Sequence, residues 1–131
     1  MGHLREPDRE TDALAHAVIG AAIEVHRHLG PGFLESVYEE ALCVELRLRG
    51  IQFEQQLRTT VKYKGEPVGE GRLDFLVGDR LVVELKSVRD VTPIHKAIVI
   101  SYLKSTQRSL ALLINFRVTC LKDGIQRVVR S

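Results

Sequence analysis

Two apolar runs, Leu73-Asp-Phe-Leu-Val77 and Leu81-Val-Val-Glu-Leu-Lys86, are separated by only three residues, Gly78-Asp79-Arg80. Each run has the length and partly β-branched make-up of a buried strand, and the Gly-Asp step between them is a turn signal. So short a connection makes the two strands antiparallel neighbours in one sheet. If the hairpin pivots on Asp79, Val77 and Leu81 flank the turn symmetrically and Asp74 comes opposite Glu84. Lys86 then emerges on the same face as Glu84, because side chains alternate along a strand. A two-residue turn would shift the register by one and throw the carboxylates onto opposite faces. The three-residue loop is preferred for its symmetry.

Two acids directly across a ladder have Cβ atoms roughly 4.5–5.5 Å apart and repel each other. A fold tolerates this when a cation lies between them, so Asp74, Glu84 and Lys86 mark a candidate site for a hard divalent metal. The competing reading is structural: Glu84 pairs with Arg72 or Lys86, and Asp74 with Arg80, at a sheet edge. An acid within Val82-Val-Glu-Leu-Lys86 is costly to bury without purpose, which favours a site. Glu35 is a further carboxylate in reach, in the first turn of a helix entered through Gly30-Pro-Gly32. Such carboxylates can bind one or two Mg²⁺ or Mn²⁺ ions, which polarise a phosphoryl oxygen and acidify a bound water. Lys86 would orient that water or neutralise charge developing on phosphorus.

The rest of the chain reads as one domain. Residues 1–11 are charged, carry Pro7 and are expected to be a frayed tail, leaving a single domain over 12–131. From Asp12, Leu14, Ala17, Val18, Ala21, Ala22, Val25 and Leu29 recur at helical spacing up to Gly30. A second helix is expected from about Phe33 to Arg49, burying Leu34, Val37, Tyr38, Ala41, Leu42 and Leu46. The period then changes to that of strands, over Gln55–Tyr63, Val68–Val77 and 81–87, a three-strand meander. Thr92-Pro93 opens a helix to about Ser105, and Leu110–Phe116 is a continuous apolar strand. Val118–Leu121 and Ile125–Val129 flank Lys122-Asp-Gly124 as a further hairpin. The order is α, α, β, β, β, α, β, β, an α/β (α+β) fold on a mixed sheet. Its strand–helix–strand unit makes the 81–87 and 110–116 strands parallel.

Composition excludes few partners. With 44% apolar and 27% charged residues the chain is an ordinary globular one, and no apolar stretch approaches the length of a membrane span. No secretory leader is recognisable, so a cytoplasmic protein is expected. Cys43 and Cys120, on an apolar helix face and an apolar strand, are expected to be buried free thiols. Residues 1–85 carry 10 basic and 15 acidic side chains, whereas residues 86–131 carry 9 basic and 2 acidic. That polarity can steer an anionic partner to one side, or serve as a solvated basic surface. His16, His26 and His28 lack the spacing of a zinc site, and His26 is expected to interact with its helix's C-terminal dipole. Gly65, Gly69 and Gly71 are followed by no Gly-Lys-Ser/Thr and form no phosphate loop.

Gly32-Phe-Leu-Glu35-Ser-Val-Tyr38 resembles the signature of the GxxExxY protein family. Leu73-Asp74, followed by Val83-Glu84-Leu-Lys86, is similar to the core motif of the PD-(D/E)XK nuclease superfamily, and Leu112-Leu-Ile-Asn115-Phe116 adds to the likeness. The resemblance runs from about residue 12 to 117. It implies a restriction-endonuclease-like core of helix, three-strand meander, helix and strand, here with an extra N-terminal helix and a C-terminal strand. It further implies metal ligation by Asp74 and Glu84, a catalytic Lys86, Glu35 as the helix acid near the metal, and Mg²⁺-dependent cleavage of nucleic acid, DNA in preference to RNA. Tyr38 and Tyr102 are expected to be partly buried aromatics whose hydroxyls reach the site. One departure stands out. Relatives often carry glutamine four residues before the tyrosine in a stretch similar to His95-Lys-Ala-Ile98-Val-Ile-Ser-Tyr102, and here Ile98 takes that place. This leaves a non-catalytic nuclease-fold module, binding nucleic acid or a protein, as the alternative. A homodimer is the expectation by analogy, since so small a domain needs a partner to span both strands of a duplex.

Overall fold

The Gly78-Asp79-Arg80 connection is the three-residue loop that symmetry favoured. Val77 lies opposite Leu81, Leu76 opposite Val82 and Phe75 opposite Val83. Gly78 and Asp79 both adopt positive φ, 58° and 59°. Glycine is needed at 78 for a second reason, because a Cβ there would lie 2.7 Å from Leu14 Cδ1. The structure, a computed structural model, describes residues 7–130.

Helix α1 (Arg9–Leu29) and helix α2 (Glu35–Leu48) precede strands β1 (Phe53–Tyr63), β2 (Glu66–Val77) and β3 (Leu81–Lys86). Helix α3 (Pro93–Thr106) crosses over to β4 (Leu110–Asn115), and β5 (Ile125–Val129) closes the chain. The sheet runs in chain order, β1-β2-β3-β4-β5. The α3 crossover makes β3 and β4 parallel, as expected, with Glu84 beside Leu113 and Lys86 beside Asn115; the other pairs are antiparallel. Helices α1 and α2 cover one face, where Val18, Ala22, Tyr38 and Leu42 pack on Phe75, Val83, Leu85 and Leu112. Val99 and Leu103 of α3 cover the other, on Leu73, Val82, Ala111 and Leu113. Both faces of β3 and β4 are therefore buried, which is why these strands read as unbroken apolar runs.

Several local expectations are corrected. Residues 1–6 lie outside the described residues, but α1 starts three residues before Asp12 because the Asp8 carboxylate caps it, accepting the Thr11 N–H at 2.8 Å. Helix α2 starts at Glu35 rather than Phe33, so Leu34 is 76% exposed, and Val37 is exposed as well. Val118–Leu121 is no strand. Leu121–Gly124 forms a single 3-10 turn, and β5 pairs with β4 instead. The chain must double back tightly here: a Cβ on Gly124 would sit 2.1 Å from the Asn115 carbonyl oxygen. Cys120 is exposed in this irregular stretch, whereas Cys43 is buried. His26 lies in the last turn of α1, as expected, but is buried, and its Nε2 bonds the Val118 carbonyl at 2.8 Å, so it also straps this segment under α1.

Beyond Phe75 and Val83, β2 no longer pairs with β3, while β1 and β2 stay paired from Phe53–Val77 out to Tyr63–Glu66. The far half of that hairpin is a two-stranded arm, exposed throughout residues 60–70.

Candidate active site

Asp74 and Glu84 occupy the first register step after β2 and β3 part. Each strand's amide is closed by the other strand's carboxylate. The Asp74 N–H donates to Glu84 Oε1 at 2.9 Å, and the Leu85 N–H donates to Asp74 Oδ2 at 2.8 Å. This reciprocal clasp satisfies two backbone donors that the ladder has abandoned and fixes both carboxylates on a rigid sheet.

A break in alternation aims Asp74 there. Phe53 of β1 and Phe75 and Val77 of β2 pack against the α1/α2 core, but Leu57 and Leu73 pack against the α3 core. Strict alternation would keep all these odd-numbered residues on one face. The ladder of β1 and β2 skips the step between Gln56 and Asp74, and Gln56 takes a left-handed φ of 55°. Both strands change face at that step, and the Asp74 amide and carboxylate turn towards β3.

Further polar groups converge from α2. The Gln56 amide donates to Asp74 Oδ1 at 3.3 Å and to Glu39 at 2.9 Å, and Gln55 donates to Glu39 at 2.6 Å. Glu35 and Glu39 are four residues apart, on one face of the helix. Lys86, half-buried at the end of β3, makes no ion pair among the described residues.

The electrostatics bind these groups into one site. Burial, and then the Asp74 charge, push the Glu84 carboxyl well above its ordinary range, with the Asp74 N–H and Lys86 opposing; Glu84 is only 6% exposed. Burial raises Asp74 too, reinforced by Glu39 and opposed by the Leu85 N–H. Glu35 is raised by burial and by Asp74, against Lys86. Tyr102 is raised by burial and then by Glu84 and Asp74. Like charges held this close favour protonated acids, or a bound cation in place of the protons.

The structural alternative does not hold. Arg80 is taken by Asp8 at 3.0 Å and Glu10 at 2.9 Å, and neither Asp74 nor Glu84 has an ion-pair partner among the described residues. The three-carboxylate cage is not assembled either. Among the described residues no three His, Cys, Asp or Glu side chains converge closely enough to hold a metal, so Glu35 stands back from the pair. Two carboxylates still suit Mg²⁺ or Mn²⁺, because such ions keep several waters and commonly take one or two carboxylates plus substrate phosphate.

Tyr38 is not at the site. It is fully buried and stacked on Phe116 with ring centroids 4.4 Å apart. Its hydroxyl donates to the Gly30 carbonyl and accepts the Phe33 N–H at 3.1 Å. It therefore staples the loop that leads into Glu35, while Ser87 Oγ ties the Phe33 carbonyl to the end of β3 at 2.7 Å. Tyr102 does approach the acids, packing over Gly71, where a Cβ would lie 3.0 Å from its ring. Ile98, one turn earlier, is 41% exposed and belongs to neither core. Asn115, at the end of the Leu112-Leu-Ile-Asn115-Phe116 run, has a structural part as well. Its buried amide bonds the Val88 N–H and carbonyl at 3.1 and 2.9 Å and holds the chain just after Lys86. Glu39 and Gln56 were not foreseen. The four-residue spacing from Glu35 was a usable signal for the first, but nothing local announced the second.

No curated protein and no solved structure matches the chain. A family model described as PD-(D/E)XK nuclease superfamily matches residues 12–128, nearly all of the described chain. The mixed five-stranded sheet with helices on both faces is consistent with a restriction-endonuclease-like fold. With its acid pair and lysine at the parting of two central strands, the chain belongs to the PD-(D/E)XK nuclease superfamily.

Proposed function

We propose that this protein hydrolyses phosphodiester bonds in nucleic acid, DNA in preference to RNA, with Mg²⁺ or Mn²⁺ held by Asp74 and Glu84. The observation that carries this reading is the reciprocal clasp of two acids, Glu84 buried and Asp74 half-buried, with no ion-pair partner among the described residues. When bound, the divalent ion polarises a phosphoryl oxygen and acidifies water. Asp74 and Glu84 hold it on backbone that cannot shift, because each carboxylate is also pinned to the neighbouring strand. Lys86, without an ion-pair partner among the described residues, would offer its ammonium to the negative charge that develops on the phosphate. Glu35, half-buried and set back, accepts a hydrogen bond from the attacking water. A cytoplasmic setting is part of this reading, and the free thiols of Cys43 and Cys120 are compatible with it; among the described residues no helix is long and apolar enough to cross a membrane. A homodimer would set one such centre against each strand of a duplex.

Ile98 supports a second reading, a nuclease-fold module that binds without cutting, since an exposed apolar side chain stands where an amide is common. Plasmid and oligonucleotide cleavage with Mg²⁺, Mn²⁺ or EDTA separates the two. Metal-dependent cutting that is lost in Asp74→Ala supports hydrolysis. Retention of DNA without cutting by wild type supports the module.

A further inference from the structure

The two-stranded arm leans over the second half of α3, and the space between them is a continuous groove. One part, of about 570 Å³, is lined by Arg58, Thr59, Lys62, Lys104 and Arg108. The next, of about 330 Å³, shares Lys62 and Lys104 and ends at Tyr102, whose phenol lies within the field of Glu84 and Asp74. No acidic side chain lines either part. Arg108 bonds Asp79 at 2.8 Å, but Arg58, Lys62 and Lys104 have no ion-pair partner among the described residues.

Two further observations show that polar and cationic groups beside this surface are incompletely paired among the described residues. Among the described residues the only buried side-chain polar atoms without a hydrogen-bond partner are Thr59 Oγ1 and Arg108 Nε, and both residues line the groove. Arg58 also lies directly across the β1–β2 ladder from Arg72, and neither has an ion-pair partner among the described residues. Like charges in that position destabilise a sheet. Leu57 and Leu73, the neighbours of this pair, face α3, so Arg58 and Arg72 present their guanidinium groups on the other face of the arm, and the groove itself relies on Lys62, Lys104 and Arg108.

We infer that the groove between the arm and α3 is a track for the phosphate backbone of a nucleic acid, carrying it from Arg108 past Lys104 and Lys62 to Tyr102 and the acid pair. The inference rests on the proposed hydrolysis only for where the track leads. Its cations are spread along a line, as a polyanion requires. With few aromatics in the arm, the grip is electrostatic rather than by base stacking.

The test is fluorescence anisotropy of labelled single-stranded and duplex DNA in EDTA, across a salt series, with Mn²⁺ calorimetry on the same proteins. Lys62→Gln/Lys104→Gln is expected to make the slope of log K against log salt shallower by about 1.8 on duplex or about 1.4 on a single strand, for two lost phosphate contacts. Lys62→Arg/Lys104→Arg keeps the slope, and Lys122→Gln, away from the groove, leaves it unchanged. Mn²⁺ binding stays at wild-type level in all three. An unchanged slope in the glutamine double variant overturns the track, as does Mn²⁺ binding by a wild type that holds neither DNA. Salt-dependent DNA binding by a wild type that takes no Mn²⁺ supports the track and sinks the hydrolytic reading instead.

Discussion

Asp74 and Glu84 are each hydrogen-bonded to the strand that carries the other, at 2.8 and 2.9 Å, so the two like charges cannot move apart. A helical or loop-borne acid pair could relax by rotating away; this one cannot without breaking two backbone contacts. Where pH exceeds the raised Glu84 value of about 9, both acids are charged and the metal-free fold carries their repulsion; a cation or a proton relieves it.

That relationship predicts a trade of stability against function. Asp74→Asn and Glu84→Gln keep the carbonyl oxygens that accept the Leu85 and Asp74 amides and remove one of two repelling charges. In EDTA, at a pH near or above the raised Glu84 value of about 9, each is expected to be more stable than wild type by about 1 kcal/mol or less, a rise in Tm of up to roughly 3–5 °C. Each should also lose the stabilisation that Mn²⁺ gives wild type. Equal or lower Tm in EDTA for both variants would show that the acids are not in conflict.

The same conflict sets a pH dependence. Both carboxyls titrate above their ordinary range when folded, so the folded state holds protons that the unfolded chain has released. Stability of the metal-free protein therefore falls as pH rises from the ordinary carboxylate range through the raised folded values. Urea midpoints in EDTA should decline over that window in wild type and flatten in Glu84→Gln. A wild-type midpoint that climbs with pH there would contradict the assignment.

Much of this was legible from the chain. The β2–β3 register followed from the symmetry of apolar residues about Asp79, and the parallel β3–β4 pair followed from the helix between them. These features are short-range or forced by connectivity. The reversal of faces at Gln56 and Asp74 was not legible, because it depends on a left-handed glutamine, a conformation that glutamine does not advertise. The burial of Tyr38 is illegible for a similar reason: its position in a motif says nothing about which way its hydroxyl turns. Val118–Leu121 reads as a strand by composition, yet Gly124 needs to pass within contact of the Asn115 carbonyl, a tertiary demand that overrides local preference.

The Tyr38 geometry predicts a role in positioning. Tyr38→Phe leaves the Phe33 N–H and the Gly30 carbonyl without their hydroxyl partner, at a cost of about 1–3 kcal/mol. Mn²⁺ affinity should stay near wild type, since Asp74 and Glu84 are untouched, while cleavage falls as Glu35 loses its fixed approach. Loss of metal binding in a folded Tyr38→Phe would place the phenol at the centre after all.

Gly124 and Gly69 separate a required glycine from a permissive one. A Cβ at 124 would lie 2.1 Å from a backbone oxygen, whereas at 69 it meets nothing within 4 Å. Neither has a positive φ, so the contrast isolates space from conformation. Gly124→Ala should cost about 1–3 kcal/mol or more by overpacking, and Gly69→Ala should stay within about 0.5 kcal/mol of wild type. Similar urea midpoints for the two variants would mean that the turn into β5 can yield without loss.

The two thiols give a readout of packing that needs no activity. Burial pushes the Cys43 thiol up to about 11, with Glu40 adding to it, so at neutral pH almost none of it is the reactive thiolate. Cys120 lies exposed in the irregular segment after β4. A disulfide reagent should therefore titrate one thiol rapidly in the native protein and both in denaturant. Cys120→Ser should abolish the fast phase and leave only the slow one, whose rate follows opening of α2 from the sheet. Two fast thiols in the native protein would mean that α2 is not packed over Phe75 and Leu85 as described, and Glu35 and Glu39 would lose their place beside the acid pair.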